Sequence, residues 1–239
     1  MDIDVRQIMK NTKALATGHF VFKALHDHGA GYIDKDRFPL IGARNYSMLL
    51  EAEAENALNS GLDLSEYPAV ALLTAAYGSI KQGLPLAAYL EKRTNVRIIV
   101  AETEVERNAA GKRYHVLPDN VKTMILGIPV LCAEDIVNDG TTVREINRLA
   151  IAELGTSLFG VLATVDRGGQ TAATLNVPRY YPYMRVNMEK HDLRKGPCPQ
   201  CVAGIPINTD LGKGEGWVKM FGQPPYPPDM DFSAFWAEK

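Results

Sequence analysis

The stretch that decides the fold reads Val130-Leu131-Cys132-Ala133-Glu134-Asp135-Ile136-Val137-Asn138-Asp139-Gly140-Thr141-Thr142. Its short apolar opening, Val130 to Ala133, predicts a strand that is buried on both faces. Two carboxylates follow at once, and a turn of small polar residues then leads into an amphipathic helix pattern that stops at Gly155. Strand, acidic pair, turn and helix together predict an α/β fold with a ligand site at the tip of this strand.

The residue types in this turn suit a phosphate with a diol beside it. Backbone N–H groups at the start of the helix, with the hydroxyls of Thr141 and Thr142, can surround an anion. The carboxylates of Glu134 and Asp135 can accept hydrogen bonds from sugar hydroxyls or hold a hydrated Mg²⁺. A buried acidic pair is costly unless it binds something, so we interpret the stretch as a binding site.

This run closely resembles the phosphoribosyl pyrophosphate (PRPP) signature of the type I phosphoribosyltransferases, which has four apolar residues, two acids, a short variable stretch and Gly-Thr-Thr. The resemblance is unbroken over the whole run. It implies the fold of that family, a mainly parallel twisted sheet flanked by helices with a small hood. It also implies that PRPP, with Mg²⁺, contacts Glu134, Asp135, Asn138, Asp139, Gly140, Thr141 and Thr142.

A second loop falls where the family holds pyrophosphate. After the predicted strand 69–74, the small-residue turn 75–81 lets backbone N–H groups approach a diphosphate closely. The later Gly83-Leu84-Pro85-Leu86-Ala87 resembles the family's Gly-Ile-Pro-Leu-Ala. Tyr77, Gly78 and Ser79 are therefore predicted PRPP contacts, and Lys81 is predicted either to meet pyrophosphate as a catalytic cation or to face solvent.

Two further segments resemble orotate phosphoribosyltransferases in particular. Gly18 to Lys23, followed after a glycine-rich link at 26–31 by Tyr32 to Lys35, is similar to the part of that family's hood that covers the base. Val165-Asp166-Arg167 is similar to the family's base contact. The resemblance implies that Phe22, Lys23 and Arg167 bind the base, because a guanidinium matches a carboxylate such as that of orotate. Exposed strand residues remain the alternative for Lys23 and Arg167.

The polar segment 101–120 is predicted to be weakly structured, and the family resemblance implies a mobile loop that closes over PRPP. Here the chain departs from the orotate enzymes, since Glu102, Glu104 and Glu106 come before the basic residues. Either the catalytic cations are Lys112 and Arg113, or the chain is not an ordinary orotate enzyme. Another acidic set, at positions 51, 53 and 55 of a predicted helix over 43–60, is interpreted as a solvated face.

Composition and length limit the expected partners, location and number of domains. The chain has 239 residues, 46% of them hydrophobic, and a formal net charge of −2, so no basic field attracts nucleic acid. No membrane-spanning segment or signal peptide is predicted, and three cysteines do not make a secreted disulfide framework, so a cytoplasmic location is expected. We expect a single domain over 1–239, with a core at about 43–167 and a hood from about 15–40 plus a C-terminal extension, 178–239.

The pair Cys198 and Cys201 lies in that extension, in CxxC spacing. One pair fills only two of four zinc positions, although a second subunit or His191 could complete a site. A redox pair is another alternative, and plain structural thiols are our interpretation.

Taken together, the resemblances imply transfer of a phosphoribosyl group from PRPP to a nitrogenous base with release of pyrophosphate. The expected base is orotate, which places the reaction in pyrimidine nucleotide synthesis. The expected partners are PRPP and a nucleobase, with no nucleic acid or membrane, and the enzyme is expected to be a homodimer. Two alternatives remain open: transfer to another base such as a purine, and a non-catalytic regulator that binds PRPP.

Overall fold

The structure is a computed structural model, and it describes residues 9, 12–22, 27–75, 78–111, 113–227, 230 and 232. The strands, in chain order, are β1 (Leu15–Val21), β2 (Asp27–Ile33), β3 (Ala69–Thr74), β4 (Arg97–Glu102), β5 (Glu104–Arg107), β6 (Arg113–Val116), β7 (Val130–Val137), β8 (Leu158–Asp166), β9 (Tyr180–Arg185) and β10 (Lys190–Asp192). The α-helices are α1 (Ala43–Asn59), α2 (Ile80–Thr94), α3 (Asp119–Ile125), α4 (Thr141–Leu154), α5 (Ala172–Leu175), α6 (Pro199–Val202) and α7 (Gly214–Phe221), and a 3-10 helix spans Lys35–Ile41.

These elements divide into two compact units. Ile41–Asn187 form one, and the described residues before Ile41 and after Asn187 form the other. We call them the sheet unit and the hairpin unit. The sheet unit contains the predicted core, 43–167. Among the described residues, no helix is both long and apolar enough to cross a lipid bilayer.

The sheet unit is built on a five-stranded sheet in the order β4-β3-β7-β8-β9, and every neighbouring pair is parallel. The predicted α/β architecture, a mainly parallel sheet flanked by helices, is therefore confirmed. The strand that carries the acidic pair is the central one. Parallel strands need crossover connections, and here helices supply most of them. For this reason short apolar runs alternate with amphipathic helix patterns along the chain.

Each face of this sheet packs against a different set of helices. Val130 and Cys132 of β7 pack with Val143 and Ile146 of α4 on one face. Leu131 and Ala133 point to the other face, where they pack with residues of α1 and α2. Both faces of β7 are thus buried, as a continuous apolar run in a parallel strand predicts.

The hairpin unit holds a three-stranded antiparallel sheet in the order β1-β2-β10. Strands β1 and β2 pair as a hairpin, but the prediction of a glycine-rich link over 26–31 is wrong because β2 already begins at Asp27. The glycines have a packing reason: a Cβ on Gly29 would lie 2.6 Å from the Phe22 ring, and one on Gly31 would lie 2.3 Å from the Met188 side chain. These strand glycines make room for side chains from other parts of the hairpin unit.

Candidate functional site

Three loops meet at one edge of the sheet unit because they follow adjacent parallel strands. The end of β3 pairs with β7 at Thr74 and Ala133, and the end of β7 pairs with β8 at Val137 and Asp166. In open α/β sheets, ligands bind outside the carboxyl ends of the strands. The acidic pair and the turns after β3 and β8 therefore share the edge that such folds use for ligands.

The acidic pair occupies both faces of the central strand. Glu134 and Asp135 are 8% and 7% exposed, and as consecutive strand residues they point to opposite sides of the sheet. Burial raises the pKa of the Cys132 thiol, and the charge of Glu134 raises it further. Asp135 accepts a hydrogen bond at Oδ1 from the N–H of Ile136, at 2.6 Å. Two acids held at one strand tip supply the oxygen donors that a divalent cation or a diol requires.

The turn after β7 depends on Gly140. This residue has φ +76°, in the left-handed region, and α4 begins at the next residue, Thr141. A Cβ at Gly140 would lie 2.3 Å from the Leu175 side chain, which is fully buried and has little room to move. The N–H of Thr141 donates to Asp139 Oδ1 at 2.9 Å. Thr141 is exposed and Thr142 and Asn138 are half-buried, so the turn presents polar groups at the start of a helix.

Asp166 fixes the loop that follows β8. Its side chain is fully buried, and its Oδ1 accepts from the N–H groups of Gly168 and Gln170, at 3.1 and 3.2 Å. Its Oδ2 pairs with Arg185 at 2.5 Å. The half-buried Arg167 donates its backbone N–H to Val137 O at 2.9 Å. The loop is thereby tied to the end of β7, and Arg167 is held beside the predicted PRPP turn.

Glu53 on α1 is a buried acid that the sequence interpretation missed. The prediction of a solvated acidic face is wrong for this position, because Glu53 is 0% exposed. Its Oε2 lies 2.7 Å from the hydroxyl of Thr164, which also lies 3.1 Å from Gln82 Oε1. Burial raises the pKa of Glu53 to about 8, against a smaller opposing effect of the Thr164 hydrogen bond, and the charge of Asp135 raises it further.

The strand tips form an acidic edge. Burial raises the pKa of Tyr46, and the charges of Glu53 and Asp135 raise it further. Burial also raises the pKa of Tyr180, and the charge of Asp166 is the next cause of that rise. An edge this rich in carboxyl groups repels a bare diphosphate and attracts a cation. The arrangement fits an anionic ligand that arrives with a divalent metal.

The turn after β3 is only partly described, since Tyr77 lies outside the described residues. Ser79 is buried, and both its hydroxyl and its N–H donate to Ala75 O, at 2.8 and 3.3 Å. Its hydroxyl is thus used to shape the turn. Gly78 is half-buried, and Lys81 is an exposed residue of the first turn of α2, which starts at Ile80. Lys81 is placed at this edge, consistent with either of its two predicted roles.

The segment 101–120 is more ordered than predicted. Strands β5 and β6 form an antiparallel hairpin, and α3 starts at Asp119. The prediction of a weakly structured segment is wrong because cross-strand pairs stabilise it, among them a hydrogen bond from the Tyr114 hydroxyl to Glu106 at 2.7 Å.

The β5–β6 hairpin of the sheet unit carries its acidic and its basic side chains on opposite faces. Arg107 lies opposite Arg113, and Glu106 lies opposite Tyr114. Side chains alternate along a strand, so Glu104 and Glu106 share one face while Arg107, Arg113 and His115 share the other. Burial lowers the pKa of His115, and the charge of Glu145 of α4 partly offsets this. Arg113 is exposed on the basic face, and Lys112 lies outside the described residues.

The remaining predicted residues belong to the hairpin unit. The Phe22 ring is 4% exposed and stacks on Tyr32, with 6.1 Å between ring centroids, while Lys190 Nζ lies 5.6 Å from its centroid. Phe22 therefore packs inside this unit, and Lys23 lies outside the described residues. Cys198 and Cys201, at the start of α6, are both buried with free thiols.

Comparison with solved structures decides the fold. An orotate phosphoribosyltransferase from Francisella tularensis superposes with a TM-score of 0.53 at 15% identity, over 77% of this chain and 86% of the other. The chain has the fold of the type I phosphoribosyltransferases. A hypoxanthine-guanine phosphoribosyltransferase from L. donovani gives a TM-score of 0.43 at 21% identity, over 58% and 80% of the two chains. No protein-family model and no curated protein sequence matches the chain.

Within the type I phosphoribosyltransferase fold, the signature turn lies at the carboxyl end of the central strand and opens a helix. Fold alone does not select the base.

Proposed function

We propose that this protein transfers the phosphoribosyl group of PRPP to a nitrogenous base and releases pyrophosphate, with orotate as the base. One observation carries the proposal: the complete PRPP signature occupies the carboxyl end of the central strand of a phosphoribosyltransferase fold, where it leads through Gly140 into α4. A cytoplasmic homodimer remains our prediction. Incubation with PRPP, Mg²⁺ and a panel of pyrimidine and purine bases, with pyrophosphate release as the readout, tests the whole proposal.

In this proposal the protein acts by positioning and by electrostatics. The turn 138–142 would bind the 5′-phosphate through backbone N–H groups and the hydroxyls of Thr141 and Thr142. Glu134 and Asp135 would bind the ribose hydroxyls and the Mg²⁺ that accompanies PRPP, since carboxylate oxygens are ligands that Mg²⁺ prefers. The anomeric carbon gains positive charge as pyrophosphate leaves, so cations that stabilise the leaving group lower the barrier.

The basic face of the β5–β6 hairpin supports an enzyme over a PRPP-binding regulator. The acidic residues Glu102, Glu104 and Glu106 favour a regulator, because acids that face pyrophosphate repel it. Of these, Glu104 and Glu106 belong to the hairpin. Because Arg107 and Arg113 lie on the opposite face from those acids, the hairpin can present its guanidinium groups without them. We propose Arg113, with Lys112 and Lys81, as cations for the departing pyrophosphate.

Replacing Asp135 with asparagine is expected to weaken PRPP binding in the presence of Mg²⁺ by about 1–3 kcal/mol, the value of a hydrogen bond to a charged group. Isothermal titration calorimetry measures this directly. The control is Asp119→Asn, which removes the same charge from a fully exposed side chain of the sheet unit. Equal PRPP affinity in the Asp135 variant and the wild type would remove the acidic pair from the proposed site.

Replacing Arg167 with alanine is expected to raise the KM for orotate at least about tenfold, with a much smaller change in the KM for PRPP. A guanidinium can bind the carboxylate of orotate in two hydrogen bonds, and a site built around such a donor discriminates against ligands that lack the group. The control is Arg179→Ala, since Arg179 donates to Gly61 O, away from the strand tips. Turnover of a purine base with no turnover of orotate would reject the base assignment and keep phosphoribosyl transfer.

A further inference from the structure

Four metal-ligating side chains meet inside the hairpin unit. His19 comes from β1, His28 from β2, and Cys198 and Cys201 flank the start of α6. One ligand atom from each lies within 4.8 Å of all the others. The cysteines lie 179 and 182 residues from His19 in sequence, so the fold itself assembles the cluster. His191, the histidine considered from the sequence, lies outside this cluster, with its Nε2 3.6 Å from Glu189.

The cluster is closed to solvent. His19 and His28 are 1% and 0% exposed, and Cys198 and Cys201 are 0% and 6% exposed. The His28 ring lies nearly perpendicular to the buried Trp217, with ring centroids 4.6 Å apart. A metal bound here would have four protein ligands and no open position for a substrate, which is the pattern of structural sites.

A neighbouring backbone group orients His19. Its Nδ1 lies 2.8 Å from Ile205 O, and a carbonyl oxygen can only accept, so Nδ1 carries the proton. Nε2 is then left with a lone pair that points into the cluster. This is the arrangement that a metal-binding histidine has in proteins, where the second ring nitrogen donates to a carbonyl or carboxylate.

The Nδ1 of His28 faces the Nε2 of His19, so the tautomer of His28 decides what lies between the two rings. Its Nδ1 lies 2.9 Å from His19 Nε2, and its Nε2 is buried with no hydrogen-bond partner in the described part of the chain. If Nδ1 is protonated, it donates to His19 and leaves a bare lone pair on the buried Nε2. If Nε2 is protonated, two nitrogen lone pairs face each other across 2.9 Å. A metal ion bound to both nitrogens removes this conflict.

The three sulfur–nitrogen distances suit one ion. Tetrahedral Zn²⁺, with bonds of about 2.0–2.1 Å to nitrogen and about 2.3 Å to sulfur, places its ligands roughly 3.3–3.8 Å apart. Cys201 Sγ lies 3.3 Å from His28 Nδ1 and 3.6 Å from His19 Nε2, and Cys198 Sγ lies 3.7 Å from His19 Nε2. Ligands gathered this closely enclose a single metal ion, whereas an iron–sulfur cluster divides its ligands between separate irons.

We propose that His19, His28, Cys198 and Cys201 bind a structural Zn²⁺ that joins the β1–β2 hairpin to the C-terminal segment. The hairpin unit has a small core around Val21, Ile207 and Trp217. Small units of this kind commonly rely on a metal or disulfides because they bury too little apolar surface. This site does not depend on PRPP or on the identity of the base.

The test begins with the metal content of the full chain, purified under reducing conditions from zinc-supplemented medium. We expect about one zinc per chain by elemental mass spectrometry, and at least about a tenfold loss in the Cys198→Ser, Cys201→Ser double variant. Two matched variants should keep the metal: Cys132→Ala, which changes the cysteine of β7, and His191→Gln, which changes the histidine paired with His28 between β10 and β2.

A second measurement uses the wild-type protein, so it stands even if the double variant fails to fold. Co²⁺ titrated into metal-stripped, reduced protein should give the intense visible bands of a tetrahedral site with thiolate charge transfer, and Zn²⁺ should displace them. Zinc should also raise the melting temperature of the stripped protein. Wild-type protein that holds no zinc and gives no tetrahedral Co²⁺ bands, or equal zinc in the double variant, would overturn the proposal.

Discussion

Replacing Gly168 with alanine is expected to displace the PRPP turn and to weaken PRPP binding at least about thirtyfold, with a marked loss of stability. A Cβ at Gly168 would lie 1.5 Å from Asn138 O and 2.5 Å from Asn138 C, which are backbone atoms of the proposed PRPP turn. A backbone clash cannot be relieved by a side-chain rotation, so the two loops must separate. Overpacking of this kind costs about 1–3 kcal/mol or more.

The adjacent glycine gives a matched control. Gly169 has φ +65°, and a Cβ there would meet nothing within 4 Å. Gly169→Ala therefore carries only the backbone strain of a left-handed alanine, about 1–2 kcal/mol, without touching Asn138. Calorimetry with PRPP and Mg²⁺, together with thermal melts, should separate the two variants. Equal PRPP affinity and equal melting temperatures for Gly168→Ala and Gly169→Ala would show that the loops do not meet at this point.

Sequence patterns were sufficient for the central strands of the sheet unit and the helix after Gly140, because their signals are local. The apolar run 130–133 became β7, the strand predicted at 69–74 is β3, and the helix after Gly140 ends before Gly155, as the glycine predicts. Each of these elements is set by residues within one turn or one strand of itself. The order of the strands in the sheet follows from the crossover helices between them.

The features that the sequence did not reveal depend on contacts between distant residues. Glu53 is indistinguishable from Glu51 and Glu55 in sequence, and it is buried because Thr164, 111 residues away, lies against it. The faces of the β5–β6 hairpin became evident only once the register that pairs Arg107 with Arg113 was known. The spacing of two histidines across a hairpin, followed by a late CxxC, was the available signal for the proposed zinc site.

Replacing Glu53 with glutamine is expected to remove most of a pH dependence of stability that the wild type shows between about pH 4.5 and pH 8. Burial, followed by the charge of Asp135, raises the pKa of Glu53 from 4.5 to about 8 in the folded protein. Between these two values the folded state binds more protons than the unfolded state, so stability falls as pH rises. The stabilisation that neutral Glu53 gives the folded state is complete below about pH 4.5 and is lost above about pH 8. The free energy of unfolding falls by roughly 3–5 kcal/mol over this range.

The geometry around Glu53 explains why a proton is favoured there. The Thr164 hydroxyl has one proton and lies within hydrogen-bond distance of both Glu53 Oε2 and Gln82 Oε1. If Glu53 is protonated, it donates to Thr164, and Thr164 donates to Gln82, so each contact has one donor and one acceptor. A glutamine at position 53 can donate in the same way at every pH, and it leaves no charge to bury.

Denaturant unfolding at pH 5, 7 and 9 measures the effect. The free energy of unfolding of the wild type should decrease across this series, that of Glu53→Gln should stay nearly level, and the two curves should separate most at pH 9. Glu51→Gln is the control, because it changes a half-exposed acid on the same helix and should keep the wild-type slope. Parallel curves for the wild type and Glu53→Gln would mean that Glu53 is ionised when folded. In that case the Gln82 amide would have to be turned, so that its buried Nε2 donates to Thr164 while Thr164 donates to the carboxylate.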